Sequence, residues 1–299
     1  MSDQSRDGVS EYKLDPERLE LAKHLAQVPF AADLASRVGR TPGTVLNWEQ
    51  GRTNPPLSTL TRLADELQTD VRFLTDSRPV PELQDAFFRQ PRRNAGWALE
   101  RFGAYARLFA RFVEHLGTHE WSAELERIRR HNAGNAPTVA AMNTRDGLGL
   151  PRTSPIKDTV QVARDLGIVV GYGPVASAGL SAFSARAGRL PLVVLNPAGG
   201  DHLRQRFSVL HEVGHLVMHG ADDGMTLGER EKEAHRFAAA MLYPPTNANM
   251  GALAAAVADA SFDSLIEISR AWRISVEALV ELACAELRGS ARTLCVRMG

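Results

Sequence analysis

Two histidines four residues apart, His211 and His215, with Glu212 directly after the first, constrain this chain more than any other feature. Leu203, Phe207, Leu210, Val217 and Met218 recur around them at helical spacing, so the run from Arg206 to Gly220 reads as a helix. Both imidazoles then project from one face, one turn apart, and reach a single metal ion. Glu212 leaves the helix about 100° round from His211, towards metal-bound water rather than the ion, which makes it the expected general base. Such a site takes a third protein ligand and keeps its fourth position open. Gly214 inside the helix costs about 1 kcal/mol relative to alanine, which predicts a close neighbour there.

Candidates for the third ligand follow in the segment from Gly228 to Pro244, where Glu229, Glu231 and Glu233 supply carboxylates. Read as a helix ending before Pro244, its apolar face is Ala234, Phe237, Ala238, Met241 and Leu242. Glu231 stands beside that face, where an unpaired carboxylate is costly and a metal ligand is not. Glu229 and Glu233 are turned further away, so Glu231 is the expected ligand. Two histidines and one carboxylate suit zinc (Zn2+) and also manganese (Mn2+).

The order Arg-x-Arg-Phe-Ser, His-Glu-x-Gly-His, Leu-x-x-His-Gly and then Glu-x-x-Ala-x-x-Phe-Ala-Ala-x-Leu-x-Pro resembles the ImmA/IrrE family of bacterial metallopeptidases. The resemblance runs from about Ala140 to the C-terminus and implies His211, His215 and Glu231 as ligands and Glu212 as base. At His235 this chain departs from the asparagine often found in the family. A second oxyanion donor is usual in peptide hydrolysis; His219, His235, Tyr243 and Arg206 are the candidates, which the sequence does not rank. His219 reads as a packed or capping histidine rather than a fourth ligand, since a fourth side chain would close the open position.

At the other end, short helical segments have clear starts. Asp15-Pro16 and Thr41-Pro42 each place a cap before a proline at the first helical position. The segment Phe30 to Val38 stops at Gly39, and two more helices follow around Leu57 to Leu67 and Val71 to Leu74. Residues Asp33-Leu34-Ala35, Gly39 to Val45, Trp48-Glu49-x-Gly51 and Leu60 to Leu67 resemble the phage-repressor (Cro-like, XRE) helix-turn-helix family over roughly Leu14 to Asp76. In that reading Thr41, Gly43, Thr44 and Asn47 lie on the outer face of the recognition helix, and Val45 and Trp48 face inward. Asn47 is placed to pair with an adenine edge, and Arg37, Arg40 and Arg52 to reach phosphates. Ala31 stands where family members often carry glutamine, and the domain is not basic as a whole.

Between these ends, Pro79-Val80-Pro81 reads as a boundary, and Trp97 to Leu116 as one helix with an aromatic stripe that forms a core or dimer seam. A looser stretch rich in Asn, Gly and Thr follows. Ser154-Pro155-Ile156 then opens a helix closed by Gly167, and three short strands are expected at Ile168 to Val170, Leu180 to Ala185 and Leu192 to Asn196. Gly179 to Ala187 is the expected free edge against which an extended peptide would pair. Beyond the metal motifs, helices from Ser261 and from Ser275 are expected to cover the metal domain.

The fold expected is therefore α+β. An all-α helix-turn-helix domain spans residues 1–78, a helical linker region 79–139, and a zincin-like minimal metallopeptidase domain with a small sheet 140–299. The 299 residues carry 35 basic and 35 acidic side chains, so no overall field selects nucleic acid or an acidic membrane. No apolar run is long enough to span a bilayer and the polar start is no signal peptide, so the chain reads as cytoplasmic with no membrane partner. Of the two cysteines, Cys284 reads as a buried reduced thiol and neither as a zinc ligand. The resemblances imply limited proteolysis of a regulatory protein, often a repressor, in stress response or mobile-element control. Double-stranded DNA and a second copy of the chain are the other expected partners. The alternative is a transcription regulator whose peptidase-like domain senses a metal, ligand or partner without cutting.

Overall fold

The structure, a computed structural model, describes residues 12–87, 96–117, 123–174, 181–198, 200–220, 224–259 and 261–286. It divides into two compact units, Met1–Pro81 with Arg93–Leu108, and Glu82–Arg92 with Phe109–Gly299. The stretch 79–139 contributes to both.

The first unit is helical. Asp15 caps α1 (Pro16–Leu25) by accepting the Arg18 amide, and Thr41 caps α3 (Pro42–Glu49) by accepting the Thr44 amide, each with proline just inside. Between them, α2 (Ala31–Val38) ends at Gly39. Helices α4 (Leu57–Glu66) and α5 (Val71–Leu74) complete the set. Leu19, Leu34, Val38, Val45, Trp48, Leu60, Leu63 and Leu74 form one apolar core, as their helical spacing requires. The buried Arg18 guanidinium donates to the Asp76 and Arg78 carbonyls, tying α1 to the chain that leaves α5. The long helix α6 (Gly96–Leu116) begins in this unit, where Ala104 packs with Leu21 and Val80. Its aromatic stripe divides: Phe102 is buried, whereas Phe112 and Leu116 are exposed.

A four-stranded sheet in the order β1-β3-β4-β2 organises the second unit. β4 (Leu190–Leu195) is buried at all six positions and pairs antiparallel with β3 (Ala182–Ala187) and parallel with β2 (Val169–Tyr172). Such a run, apolar at nearly every position, is what a strand covered on both faces requires. Only two residues join β3 to β4, and Gly188, the first of them, supplies the positive φ of 60° that so tight a hairpin demands. The strand β1 (Leu83–Phe87), which the sequence reading did not foresee, pairs antiparallel with β3. Residues 182–187 therefore lie between two neighbours rather than on a free edge, and 175–180 lie outside the described residues.

The stretch expected to be loose contains two helices, α7 (Ala123–Asn132) and α8 (Pro137–Gly147). Their apolar signal is weak because they are fastened by polar groups. Asn132 donates to Thr144 Oγ1 at 3.2 Å, Thr144 Oγ1 to the Ala140 carbonyl at 2.8 Å, and the buried Arg145 to the Met241 and Ser154 carbonyls. Helix α9 (Thr159–Asp165) starts later than expected, because Asp158 rather than Ser154 accepts its first free amides. Helices α10 (His202–Met218) and α11 (Leu227–Leu242) carry the metal motifs and pack against each other. The alanine-rich α12 (Asn247–Ala258), which has no clear stripe in sequence, joins α13 (Phe262–Trp272) and α14 (Val276–Glu286) around the same core. Cys284 is half-buried and disulfide-bonded, which corrects the reading of a buried free thiol; it sits beside the buried positions Leu279, Leu282 and Ala283, not among them. Cys295 lies outside the described residues. Among the described residues, no helix is long and apolar enough to cross a membrane.

Candidate metal centre and DNA-facing helix

Asp201 starts α10 by accepting the Arg204 amide, and the helix then runs across the inner strands β3 and β4. Its one glycine sits where α11 crosses. A Cβ on Gly214 would lie 2.9 Å from Phe237 Cδ1 and 3.3 Å from Ala234 Cα, so glycine is what lets the two motif helices approach. α11 opens with a reciprocal cap, in which Thr226 and Glu229 satisfy each other's backbone amides. The cap uses Glu229 and leaves Glu231 and Glu233 to face α10.

His211 Nε2 and His215 Nε2 lie 3.2 Å apart. Glu231 Oε2 is 3.3 Å from the first nitrogen, and Oε1 is 3.2 Å from the second. Among the described residues these three are the one group of His, Cys, Asp or Glu donors close enough to hold an ion. Ligands about 2.0–2.1 Å from zinc in a tetrahedron stand about 3.3–3.4 Å from one another. Each of these pairwise spacings, two of them to different oxygens of Glu231, is that of neighbouring ligands on one four-coordinate cation.

Glu212 is buried, and its Oε2 accepts the Ser184 hydroxyl at 2.6 Å. Burial pushes its carboxyl up to about 7; His211 and the Ser184 hydroxyl pull it down, and the Glu231 carboxylate adds to the rise. Burial also raises Glu231, but the imidazoles of His211 and His215 outweigh it and hold that carboxyl well below the usual range. Burial lowers His215, against the opposing pull of Glu231. Ser184 was not anticipated; nothing in a strand that also carries Arg186 sets its hydroxyl apart.

A cleft of about 960 Å³ opens beside the donors, lined by His211, Glu231, Lys232, His235, Arg236, Glu281 and Leu282 among others. Of the four oxyanion candidates, His235 lines this cleft, with its ring 6.3 Å from that of His211 and an ion pair to Glu281. The other three do not line it. Arg206 donates to the Ile156 and Lys157 carbonyls, and Tyr243 donates to the Asn249 carbonyl at 2.8 Å with its hydroxyl pushed up to about 12 by burial. His219 bonds His215 on the side remote from Nε2.

On the first unit, α3 presents Gly43 and Leu46 to solvent with Thr44 and Asn47 half-buried, and it buries Val45 and Trp48. Thr41 is occupied as the cap, with its hydroxyl 2.9 Å from that of Thr44. Arg37, Arg40 and Arg52 are exposed, and Arg40 donates to Thr59 Oγ1 at 3.0 Å. Leu46, 46% exposed on the outer face, was not among the expected contacts.

A helix bearing His-Glu-x-x-His over a small mixed sheet, with an acid from the next helix, defines a metallopeptidase-like domain; α2, a short turn and α3 define a helix-turn-helix. Comparison with family models agrees on both. Residues 163–281 match the peptidase family described as IrrE N-terminal-like domain, and residues 18–74 match the family described as helix-turn-helix. The chain thus joins a helix-turn-helix DNA-binding domain to a metallopeptidase-like domain. Neither the curated proteins nor the solved structures gave a match.

Proposed function

We propose that this chain is a cytoplasmic DNA-binding regulator that cuts a regulatory protein, such as a repressor, by metal-dependent limited proteolysis. The observation that carries this reading is the convergence of His211, His215 and Glu231 at 3.2–3.3 Å, beside a base-type carboxylate buried next to them. His211, His215 and Glu231 would hold zinc, or manganese. When bound, the ion acidifies water and polarises the scissile carbonyl. Glu212 takes the water proton and returns it to the leaving amine. Ser184 holds one carboxylate oxygen of Glu212 and so orients the other. His235 is the oxyanion donor favoured by its place in the cleft. The substrate chain would lie in that cleft, since β1 occupies the outer edge of β3. Arg40, Thr41, Gly43, Thr44, Asn47 and Arg52 would face DNA, with α3 in the major groove of a duplex bound by a dimer.

The test pairs metal content with Glu212→Gln. Near-stoichiometric zinc or manganese in the purified chain, lost in His211→Ala, supports the centre; a stably folded wild type that takes up neither ion sinks it. Cleavage of a partner that stops in Glu212→Gln supports proteolysis. A second reading is regulation without cutting, in which the metallopeptidase-like domain senses a metal, ligand or partner. It requires that Glu212→Gln leave regulation intact.

A further inference from the structure

His219 closes α10 in a way that a merely packed histidine does not require. It is buried, its backbone N–H donates to the His215 carbonyl at 3.0 Å, and its own carbonyl accepts Arg129 Nη2 from α7 at 3.1 Å. Both ring nitrogens are engaged: Nδ1 lies 3.0 Å from His215 Nδ1, and Nε2 lies 3.3 Å from Glu233 Oε2 on α11. A carboxylate only accepts, so the His219 proton sits on Nε2. A neutral imidazole carries one N–H, which leaves His219 Nδ1 as an acceptor. The proton between the two rings therefore belongs to His215 Nδ1. His215 then carries its lone pair on Nε2, the atom 3.2 Å from both His211 Nε2 and Glu231 Oε1.

We propose that Glu233 and His219 are positioning residues, a carboxylate–imidazole pair that fixes His215 in its Nδ1–H form and aims Nε2 at the point shared with His211 and Glu231. The assignment rests on the metal-centre reading above. It explains why two acids of α11 face α10. Glu231 completes the donor set, and Glu233, two residues on, holds the partner of a donor. Nothing in the spacing of His219 alone distinguishes this role from a cap, because the decisive contact comes from another helix.

Zinc affinity of the full chain, measured by competition with a chromogenic chelator, tests the proposal together with ring-nitrogen NMR of the zinc-loaded protein. His219→Phe keeps a planar aromatic ring, slightly larger, and removes both nitrogens; it should weaken zinc binding about 10–100-fold with the fold retained by circular dichroism. Glu233→Ala should weaken it less, and Glu233→Gln, whose amide oxygen still accepts the His219 N–H, should fall between Glu233→Ala and wild type. The NMR should find His215 protonated at Nδ1 and His219 at Nε2. Unchanged affinity in His219→Phe and Glu233→Ala, or a His219 proton on Nδ1, overturns the pair and leaves the metal centre standing. Should His219→Phe not fold, the half-exposed Glu233→Ala and the wild-type NMR decide the matter. A wild type that takes up no zinc overturns both readings together.

Discussion

The two units bury polar groups for opposite purposes. In the helix-turn-helix unit the buried charges, Arg18 and Lys23, reach outward to the less buried Asp76 and Glu49, and the core between them is apolar. In the metallopeptidase-like unit Glu212, His215 and His219 are buried near Glu231, with His215 Nε2 turned to the His211 and Glu231 donors and its Nδ1 to His219. Burying ionisable groups together costs stability unless each has a partner, and that cost marks a site as functional. The first unit keeps its chemistry on its surface; the second keeps it inside.

That contrast breaks most sharply at Glu212. Glu212→Gln should lower proteolytic turnover by about 10²–10⁴-fold at unchanged metal content, read by cleavage rate and metal analysis, and leave DNA affinity untouched. Chelation should follow. With free ion at a hundred times its dissociation constant, removing it costs about 2.7 kcal/mol, and calorimetry should find only the metallopeptidase-like unit melting earlier. If both units shift together, they are not independent in stability. In Gly214→Ala, overpacking against Phe237 and Ala234 should exceed the gain in helix propensity, for a net loss of about 1–2 kcal/mol in denaturant unfolding, with weakened metal binding because α11 carries Glu231.

Surface chemistry in the first unit predicts effects of the same order or smaller. Asn47→Ala should cost about 1–3 kcal/mol of specific DNA binding, seen as lost discrimination in a shift assay, without change in cleavage. Smallest is Asp76, whose carboxyl is held at about 2, chiefly by the Arg78 guanidinium. Its folded value lies below its unfolded value, so the stabilisation is complete above about pH 4 and disappears as pH falls towards 2. Asp76→Asn should therefore cost up to about 1 kcal/mol at neutral pH, and the gap to wild type should close on acidification.

The sequence was most legible where structure is local. Caps at Asp15 and Thr41, the stop at Gly39, the inward Val45 and Trp48, and the strands β2 to β4 follow from residues within one or two turns of each other. His211, His215 and Glu231 were readable as a set because two helix faces sufficed to place them, and the structure brings them together. What failed was what distant residues decide. α7 and α8 looked loose because Asn132, Thr144 and Arg145 are polar in sequence yet buried, the first two bonded to each other between the helices and Arg145 to the distant Met241 carbonyl. Ser184 carries no signal of its own, and Glu233 showed only as a ligand candidate turned too far away; both gain their roles where β3 and α11 meet α10.

β1 has a practical consequence for anyone dividing the molecule. Leu83 pairs with Ala187 across more than a hundred residues of chain. A fragment begun at residue 140 would keep every candidate ligand and the whole of the matched segment 163–281, yet lose that strand. β3 would then expose a row of unsatisfied amides and carbonyls, an invitation to self-association of the kind that native edges are built to prevent. The boundary drawn by the motifs is not the boundary at which the unit comes away whole.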